Sequence, residues 1–157
     1  MRTHLCTLTT RNEAETARLA RNLGALLDPG DVLLLEGEVG AGKTYFARQL
    51  IQSMQTAPED VPSPTFTLMQ TYDTSRGEVL HADLYRLSDP DELVELGLLE
   101  AFESAICLIE WPDRLGPDAP ASALLMTFEH GTDEEQRTIR IEGAASVWGA
   151  RVKEAIQ

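Results

Sequence analysis

The chain has 157 residues, of which 43% are hydrophobic, so it is long and apolar enough for one folded domain spanning residues 1–157. It carries 13 basic and 26 acidic residues, for a net charge of −13. Because proteins neutralise phosphate backbones with basic patches, this charge argues against direct, tight binding of DNA or RNA.

The acidic excess is concentrated in the later part of the chain. Residues 1–57 hold six basic and six acidic residues, whereas Asp83–Asp118 holds ten acidic and two basic residues, a net charge of −8. A solvated face that keeps the protein soluble and a face that binds a partner both fit this distribution.

The N-terminal residues lack the apolar run and cleavage site of a secretory signal, and no window approaches the ~18 apolar residues of a membrane span. We therefore expect a cytoplasmic protein without a membrane segment. Two cysteines, Cys6 and Cys107, form neither a disulfide framework nor a metal-ligand spacing. Cys107 lies in an apolar run, which favours a buried structural thiol.

The first third of the chain alternates between strands and helices. A short strand is predicted at residues 5–8, and Thr10 and Glu13 have capping-box spacing before a helix with leucines on one face. The apolar run Val32–Leu35 is typical of a strand buried on both faces of a parallel sheet. A glycine-rich turn follows, and residues 44–54 again have helical periodicity.

The remaining two thirds add strands that can pair with this unit. Val61–Pro64 predicts a rigid extended loop, because each proline disfavours helix before it and lacks a backbone donor. The other predicted elements are a hairpin of residues 65–72 and 79–85, an acidic helix at 91–102, strands at 105–109, 124–128 and 138–141, and a helix at 147–156.

Residues Gly37–Thr44 match the P-loop pattern G-x-x-x-x-G-K-[ST] between a predicted strand and a predicted helix. Backbone amides of such a loop surround phosphate, Lys43 reaches the terminal phosphates, and the Thr44 hydroxyl binds Mg²⁺. A merely flexible glycine-rich turn is the weaker alternative. The predicted nucleotide contacts in this stretch are Glu38, Val39, Gly40, Ala41, Gly42, Lys43, Thr44 and Tyr45.

The sequence predicts an α/β fold, a three-layer P-loop NTPase-like domain with a mainly parallel central sheet and added antiparallel strands.

A P-loop enzyme also needs a carboxylate near its metal and a polar group near the attacking water. Glu110 ends the apolar strand at 105–109 and is the first candidate. Asp83 is the second, although an acid on a solvent-facing strand is its alternative. Thr65 could act from a loop on the γ-phosphate side.

Other residues near these positions have two interpretations each. Trp111 is either a core aromatic or part of the nucleotide pocket, and His81 is either a packed strand histidine or a catalytic one. Arg86 and Arg114 are either exposed structural residues or stabilise transition-state charge. The chain lacks the Asn-Lys-x-Asp sequence that reads guanine, which favours ATP.

The order and spacing of these motifs resemble the bacterial TsaE family, also called YjeE. The resemblance runs from about residue 30 to residue 114, and no motif of the family falls in the last forty or so residues. It rests on four stretches: Gly40-Ala41-Gly42-Lys43-Thr44, Ser63-Pro64-Thr65-Phe66, His81-x-Asp83-x-Tyr85-Arg86, and Ile109-Glu110-Trp111-Pro112 with Arg114.

The resemblance implies an ATPase that serves threonylcarbamoyladenosine modification of tRNA beside the anticodon and acts on a complex of TsaD and TsaB. It implies ATP and Mg²⁺ as cofactors, with phosphates and metal at Lys43 and Thr44, further metal binding by Asp83 and Glu110, and Trp111 near the nucleotide. Catalysis would involve Glu110, Lys43 and Thr65. A small-molecule kinase and a non-catalytic, nucleotide-dependent assembly switch remain the alternatives. The acidic segment Asp83–Asp118 is then expected to face a basic surface of the partner complex.

Overall fold

Seven strands form one sheet in the computed structural model, which describes residues 2–157. The strand order is β1-β7-β6-β2-β5-β4-β3. The four middle strands, β6, β2, β5 and β4, are parallel, and β7, β1 and β3 add antiparallel pairs at the edges. The predicted α/β fold is confirmed. The strands are β1 Thr3–Thr10, β2 Val32–Gly37, β3 Met69–Thr74, β4 Gly77–Asp83, β5 Ile106–Glu110, β6 Leu124–His130 and β7 Arg137–Gly143.

Helices cover both faces of this sheet. They are α1 Glu13–Gly24, α2 Lys43–Ser53, α3 Asp91–Glu95, α4 Leu98–Ser104 and α5 Ala145–Ala155, together with a 3-10 segment at Pro112–Asp118. Helices α1, α2 and α5 pack on one face, while α3, α4 and the 3-10 segment pack on the other. Within residues 2–157, no helix has the length and apolar character needed to span a membrane.

The apolar side chains of β2 pack on both faces of the sheet. Leu33 and Leu35 point into the core beneath α1 and α2, while Val32 and Leu34 join the core on the opposite face. Since successive strand side chains alternate between faces, a strand covered on both sides must be apolar at every position. The prediction from the uninterrupted run at Val32–Leu35 is therefore confirmed.

The start of α1 differs from the expected capping box. Asn12 is the N-cap, and its side chain accepts a hydrogen bond of 2.9 Å from the Glu15 amide. Thr10 is instead the last residue of β1, where its buried hydroxyl bonds Thr16 at 2.7 Å. The strand continues to Thr10 because its pairing with β7 extends to the Thr10–Arg137 position.

The hairpin is also shorter at its outer ends than predicted. β3 begins only at Met69, because the Leu68 amide donates to the Pro64 carbonyl at 2.7 Å and closes a turn. Leu68 has φ 69°, which is incompatible with a strand. β4 ends at Asp83, whose side chain accepts from the Tyr85 amide at 3.0 Å. The loop at residues 61–64 is non-helical, as expected.

The acidic segment 91–102 forms two short helices rather than one. Gly97 separates α3 from α4 and has φ 77°, the left-handed conformation that glycine adopts most readily. The leucine spacing predicted helical periodicity but did not account for the change in direction at this residue.

Candidate nucleotide-binding site

The P-loop connects the end of β2 to the start of α2. Gly40 and Gly42 have φ 81° and 105°, so the loop uses the left-handed conformations that its glycines permit. Helix α2 begins at Lys43, directly after the loop. The first amides of a helix have no intrahelical acceptors, and together with the helix dipole they favour an anion. The local geometry is that of a phosphate-binding loop.

Lys43 is held inside the loop rather than extended into solvent. Only 4% of the residue is exposed, and its ammonium donates to the Gly37 carbonyl. The same nitrogen lies 3.6 Å from the centroid of the Trp111 ring, within cation–π distance. Burial lowers the pKa of Lys43, while the nearby carboxylates of Glu110 and Asp83 act in the opposite direction.

Thr44 and Glu110 meet across the β2–β5 junction. The Thr44 hydroxyl lies 2.9 and 3.0 Å from the two carboxylate oxygens of Glu110. His81 Nε2 lies 2.6 Å from one of those oxygens. His81 is fully buried and Glu110 is only 2% exposed. Two groups from different elements therefore orient one buried carboxylate.

The second buried carboxylate, Asp83, faces Glu110 across the β4–β5 ladder. Its Oδ2 accepts hydrogen bonds from the hydroxyls of Ser63 and Thr65, each at 3.0 Å. These bonds attach the loop at 61–68 to the end of β4. Thr65 thus contacts Asp83, and the alternative of a solvent-facing strand acid is wrong for Asp83, which is 4% exposed.

Most of the residues predicted to bind nucleotide or metal, or to act in catalysis, line one cavity of about 580 Å³. Its lining includes Val39, Gly40, Gly42, Lys43, Thr44, Tyr45, Thr65, Asp83, Glu110 and Trp111. Glu38 and Ala41 do not line it: Glu38 is exposed and Ala41 is fully buried. Both contribute backbone, since the Ala41 amide donates to the Glu38 carbonyl at 3.1 Å.

Trp111 lines the cavity and is half-buried. It follows β5 with φ 58°, and its ring lies 4.8 Å from that of Tyr85, centroid to centroid. Tyr45 reaches the first turn of α1, where its hydroxyl donates to the Glu13 carbonyl at 3.1 Å. Aromatic side chains therefore stand on two sides of the P-loop.

The structure separates the two candidate arginines. Arg86 lines the cavity and stacks over Phe66, with its guanidinium carbon 4.6 Å from the ring centroid. Arg114 does not line the cavity; it donates to the Leu87 carbonyl and forms an exposed pair with Asp113. Sequence reasoning missed a third arginine, Arg137, which also lines the cavity.

The available donors suit a magnesium ion that a nucleotide helps to hold. Among residues 2–157, no three side chains of the His, Cys, Asp and Glu types cluster as a metal cage. Thr44, Asp83 and Glu110 instead supply hard oxygen atoms in one cavity. Mg²⁺ is usually bound by one or two carboxylates plus substrate phosphates and water, so this donor set fits it.

Comparison with known proteins identifies the family. The family described as "Threonylcarbamoyl adenosine biosynthesis protein TsaE" matches residues 10–139, a range that includes the P-loop, Asp83 and Glu110. The chain belongs to the TsaE family. The resemblance inferred from the motifs is thereby confirmed.

Similar proteins share this name or this fold. A protein of Rickettsia felis, named "tRNA threonylcarbamoyladenosine biosynthesis protein TsaE", is 47% identical over 102 residues, which cover 65% of this chain and 60% of that protein. The Bacillus subtilis protein of the same name is 36% identical over 128 residues, covering 81% of this chain and 79% of that one. The crystal structure of Bacillus subtilis YdiB superimposes with a TM-score of 0.78 at 27% identity, covering 99% of this chain and 95% of that one. The matched part of this chain spans only about three fifths of the Rickettsia felis relative.

Proposed function

We propose that this chain binds Mg-ATP and hydrolyses it to ADP and phosphate in the threonylcarbamoyladenosine modification of tRNA. The observation that carries the proposal is the contact between Thr44 of the P-loop and the buried carboxylate of Glu110, in a cavity that Lys43 and Asp83 also line. Family membership supplies the pathway, because the relatives named above carry it in their names. Because the pathway modifies tRNA, we also propose a cytoplasmic location.

Nucleotide binding is supported by the P-loop and the size of the cavity. The loop amides and Lys43 would hold the phosphates, while Trp111 and Tyr45 offer apolar surface beside them. A cavity of about 580 Å³ falls within the usual range for small-molecule sites. ATP is favoured over GTP because the guanine-reading sequence is missing from the chain.

The metal would be held by the Thr44 hydroxyl with Asp83 and Glu110. When bound, Mg²⁺ supplies positive charge to the phosphates during phosphoryl transfer. The protein's own part is to keep both carboxylates in place. Glu110 is fixed by Thr44 and His81, and Asp83 by Ser63 and Thr65.

Hydrolysis also requires a group that orients water and accepts its proton, and we assign this role to Glu110. Its carboxylate is buried, oriented by two donors and placed beside the P-loop hydroxyl. Thr65 donates a hydrogen bond to the second carboxylate, from the loop that the sequence predicted to act on the γ-phosphate side. Movement of this loop would change the hydrogen bonding of Asp83.

The partner we propose is a complex of TsaD and TsaB, approached through the acidic segment Asp83–Asp118. Asp83 and Glu110 are buried in the site, so the surface charge of this segment comes from its other eight acidic residues. Helix α3 also exposes Val94, of which 65% is accessible. A face with both charge and apolar surface can attract and then pack against a basic partner. We expect no tight, direct contact with tRNA.

The decisive experiment is nucleotide binding and hydrolysis by the purified chain, alone and with TsaD and TsaB. Titration calorimetry with Mg-ATP should give saturable binding, and phosphate release should rise when the partners are added. Lys43→Ala should lose most of both, since it removes the phosphate-binding cation. Lys153→Ala is the matched control, because Lys153 is an exposed lysine in α5. Absence of Mg-ATP binding by the wild type, or normal hydrolysis by Lys43→Ala, would refute the proposal.

The small-molecule kinase alternative needs an arginine-rich lid over the acceptor, whereas of the arginines in residues 2–157 Arg86 and Arg137 alone line the cavity. Arg114 and Arg140 are exposed surface residues, and Arg151 is paired with Asp31 at 2.6 Å. None of the three lines the cavity. The second alternative, a switch without catalysis, is separated from an ATPase by the Glu110 variant described in the Discussion.

A further inference from the structure

We propose that Arg137 is a positioning residue for the phosphate cradle, by which we mean the backbone of the P-loop at Gly37–Thr44. It lies at the first position of β7, outside every motif of the chain, and its side chain contacts the P-loop. It would act by fixing the orientation of two P-loop peptide groups and by adding positive charge behind them. The inference rests on the phosphate-binding part of the proposed function and is independent of hydrolysis.

The topology explains why a residue so distant in sequence reaches the loop. β6 runs parallel to β2, and Gly37 pairs with Phe128 near the ends of these strands. The turn that follows β6 therefore lies at the edge of the sheet where the P-loop begins. β7 starts from that turn, at Arg137.

Four hydrogen bonds define what the guanidinium does. Nε donates to the Ala41 carbonyl at 2.9 Å, and Nη2 donates to the Gly40 carbonyl at 3.3 Å. Nη1 donates to the carbonyls of Glu134 and Gln136 at 2.7 and 2.9 Å. Arginine has five N–H donors, and most of them are committed to backbone carbonyls here. The side chain thus links the β6–β7 turn to the P-loop.

These bonds set the direction of the loop amides. In a planar trans peptide the carbonyl and the following N–H point in opposite directions. With the Ala41 carbonyl directed to Arg137, the Gly42 N–H is directed away from the guanidinium, and Gly42 lines the cavity. The preceding peptide is held at both ends, because the Ala41 amide also donates to the Glu38 carbonyl.

The charge of Arg137 is not neutralised by an acid. Among residues 2–157, no carboxylate forms an ion pair with this guanidinium, which is half-buried in the cavity wall. The positive charge therefore remains available to phosphates in a chain of net charge −13. Because its donors are already engaged, we assign Arg137 to the loop rather than to direct contact with a transferred phosphoryl group.

The test separates the cradle from the rest of the nucleotide site by using two probes, ADP with Mg²⁺ and inorganic pyrophosphate. We expect Arg137→Ala to weaken both by about 10-fold or more, since both need the cradle. Arg137→Lys, which keeps the charge but not the planar fork, should recover only part of the loss. Arg140→Ala is the control, because Arg140 lies on the same strand in an exposed pair with Glu129. Thermal unfolding without ligand is measured for every variant.

The affinities of the Arg137 variants for the two probes either support or overturn the positioning role. Equal loss for both probes, with unfolding temperatures within about 2 °C of the wild type, supports the proposal. Wild-type affinity for pyrophosphate in Arg137→Ala overturns it, and so does a loss for ADP alone, which would indicate contact with the base or ribose. If Arg137→Ala does not fold, Arg137→Lys and Arg137→Gln answer the same question. Failure of the wild type to bind either probe would instead refute the proposed function.

Discussion

The Thr44 hydroxyl lies within 3.0 Å of both carboxylate oxygens of Glu110. Thr44 is the second residue of helix α2, and Glu110 is the last residue of the neighbouring strand β5. Because β2 and β5 are parallel and adjacent, their carboxyl ends meet at one edge of the sheet. The contact thus brings the P-loop and the proposed hydrolytic carboxylate into one site.

Glu110→Gln tests whether hydrolysis is the function of this site. The substitution keeps the size of the side chain but removes the negative charge, so we expect phosphate release with the partners to fall by about 100-fold or more. Mg-nucleotide binding should remain measurable. Glu129→Gln, in an exposed surface pair, is the control. Full support of tRNA modification by a variant that no longer hydrolyses ATP would favour an assembly switch.

His81 should affect catalysis by orienting Glu110. Its Nε2 lies 2.6 Å from the carboxylate, and its Nδ1 is buried without a partner among residues 2–157. Because an ionised carboxylate only accepts hydrogen bonds, Nε2 is the donor in this contact. We expect His81→Leu to lower kcat by about 10-fold or more while nucleotide affinity stays near wild type.

His81→Gln provides the matched comparison, because its amide can donate near the position of Nε2. Partial recovery of kcat in this variant would support the positioning role. Equal activity of His81→Leu and the wild type would contradict it.

Two glycines test how much a steric clash adds to an unfavourable backbone conformation. A Cβ on Gly37 would lie 2.5 Å from the Phe128 carbonyl oxygen, at φ 147°. Gly97 has φ 77°, but a Cβ there would meet no atom within 4 Å, so only the backbone preference opposes alanine. We expect urea unfolding to show a loss of about 3 kcal/mol for Gly37→Ala and of about 1 kcal/mol for Gly97→Ala. Equal losses would mean that the contact with β6 relaxes at little cost.

The acidic segment Asp83–Asp118 should determine how strongly partner binding depends on salt. Asp91 and Glu95 are exposed in α3, so we expect Asp91→Lys with Glu95→Lys to weaken binding to TsaD–TsaB by about 10-fold at low salt and less at high salt. Glu92 is left unchanged because it accepts from the Ser88 hydroxyl and the Asp89 amide beside α3. Glu154→Lys, on the exposed side of α5, is the control. Unaltered affinity and salt dependence would place the docking surface elsewhere.

Cys107 makes stability depend on alkaline pH. Burial raises the pKa of its thiol from 9.0 to about 12, so the folded state keeps a proton that the unfolded state releases. This contribution to stability is complete below pH 9.0 and is lost as the pH rises toward about 12. Urea unfolding between pH 8 and 10 should show this decline. The slope should be shallower in Cys107→Ala, measured in a Cys6→Ala background because the Cys6 pKa is also raised. An identical slope in both proteins would contradict the assignment.

Local spacing along the chain was enough to predict several features of the fold and of the site. The P-loop octet, the apolar run of β2 and the strand-terminal position of Glu110 can each be read from neighbouring residues. Periodicity also predicted most helices and strands. It did not predict the break at Gly97 or the turn before Met69, because single-residue backbone conformations decide these, as at Leu68 with φ 69°.

The distant side chains that complete the site could not be predicted without the arrangement of the strands. His81 reaches Glu110 because β4 and β5 are parallel neighbours, and Arg137 reaches Ala41 because β6 ends beside the P-loop. Neither contact has a signal in local spacing, since strand order and register set the distance between residues 29 or 96 positions apart. The proposed phosphate-binding residues therefore belong to one short motif, whereas their orientation depends on how the sheet is assembled.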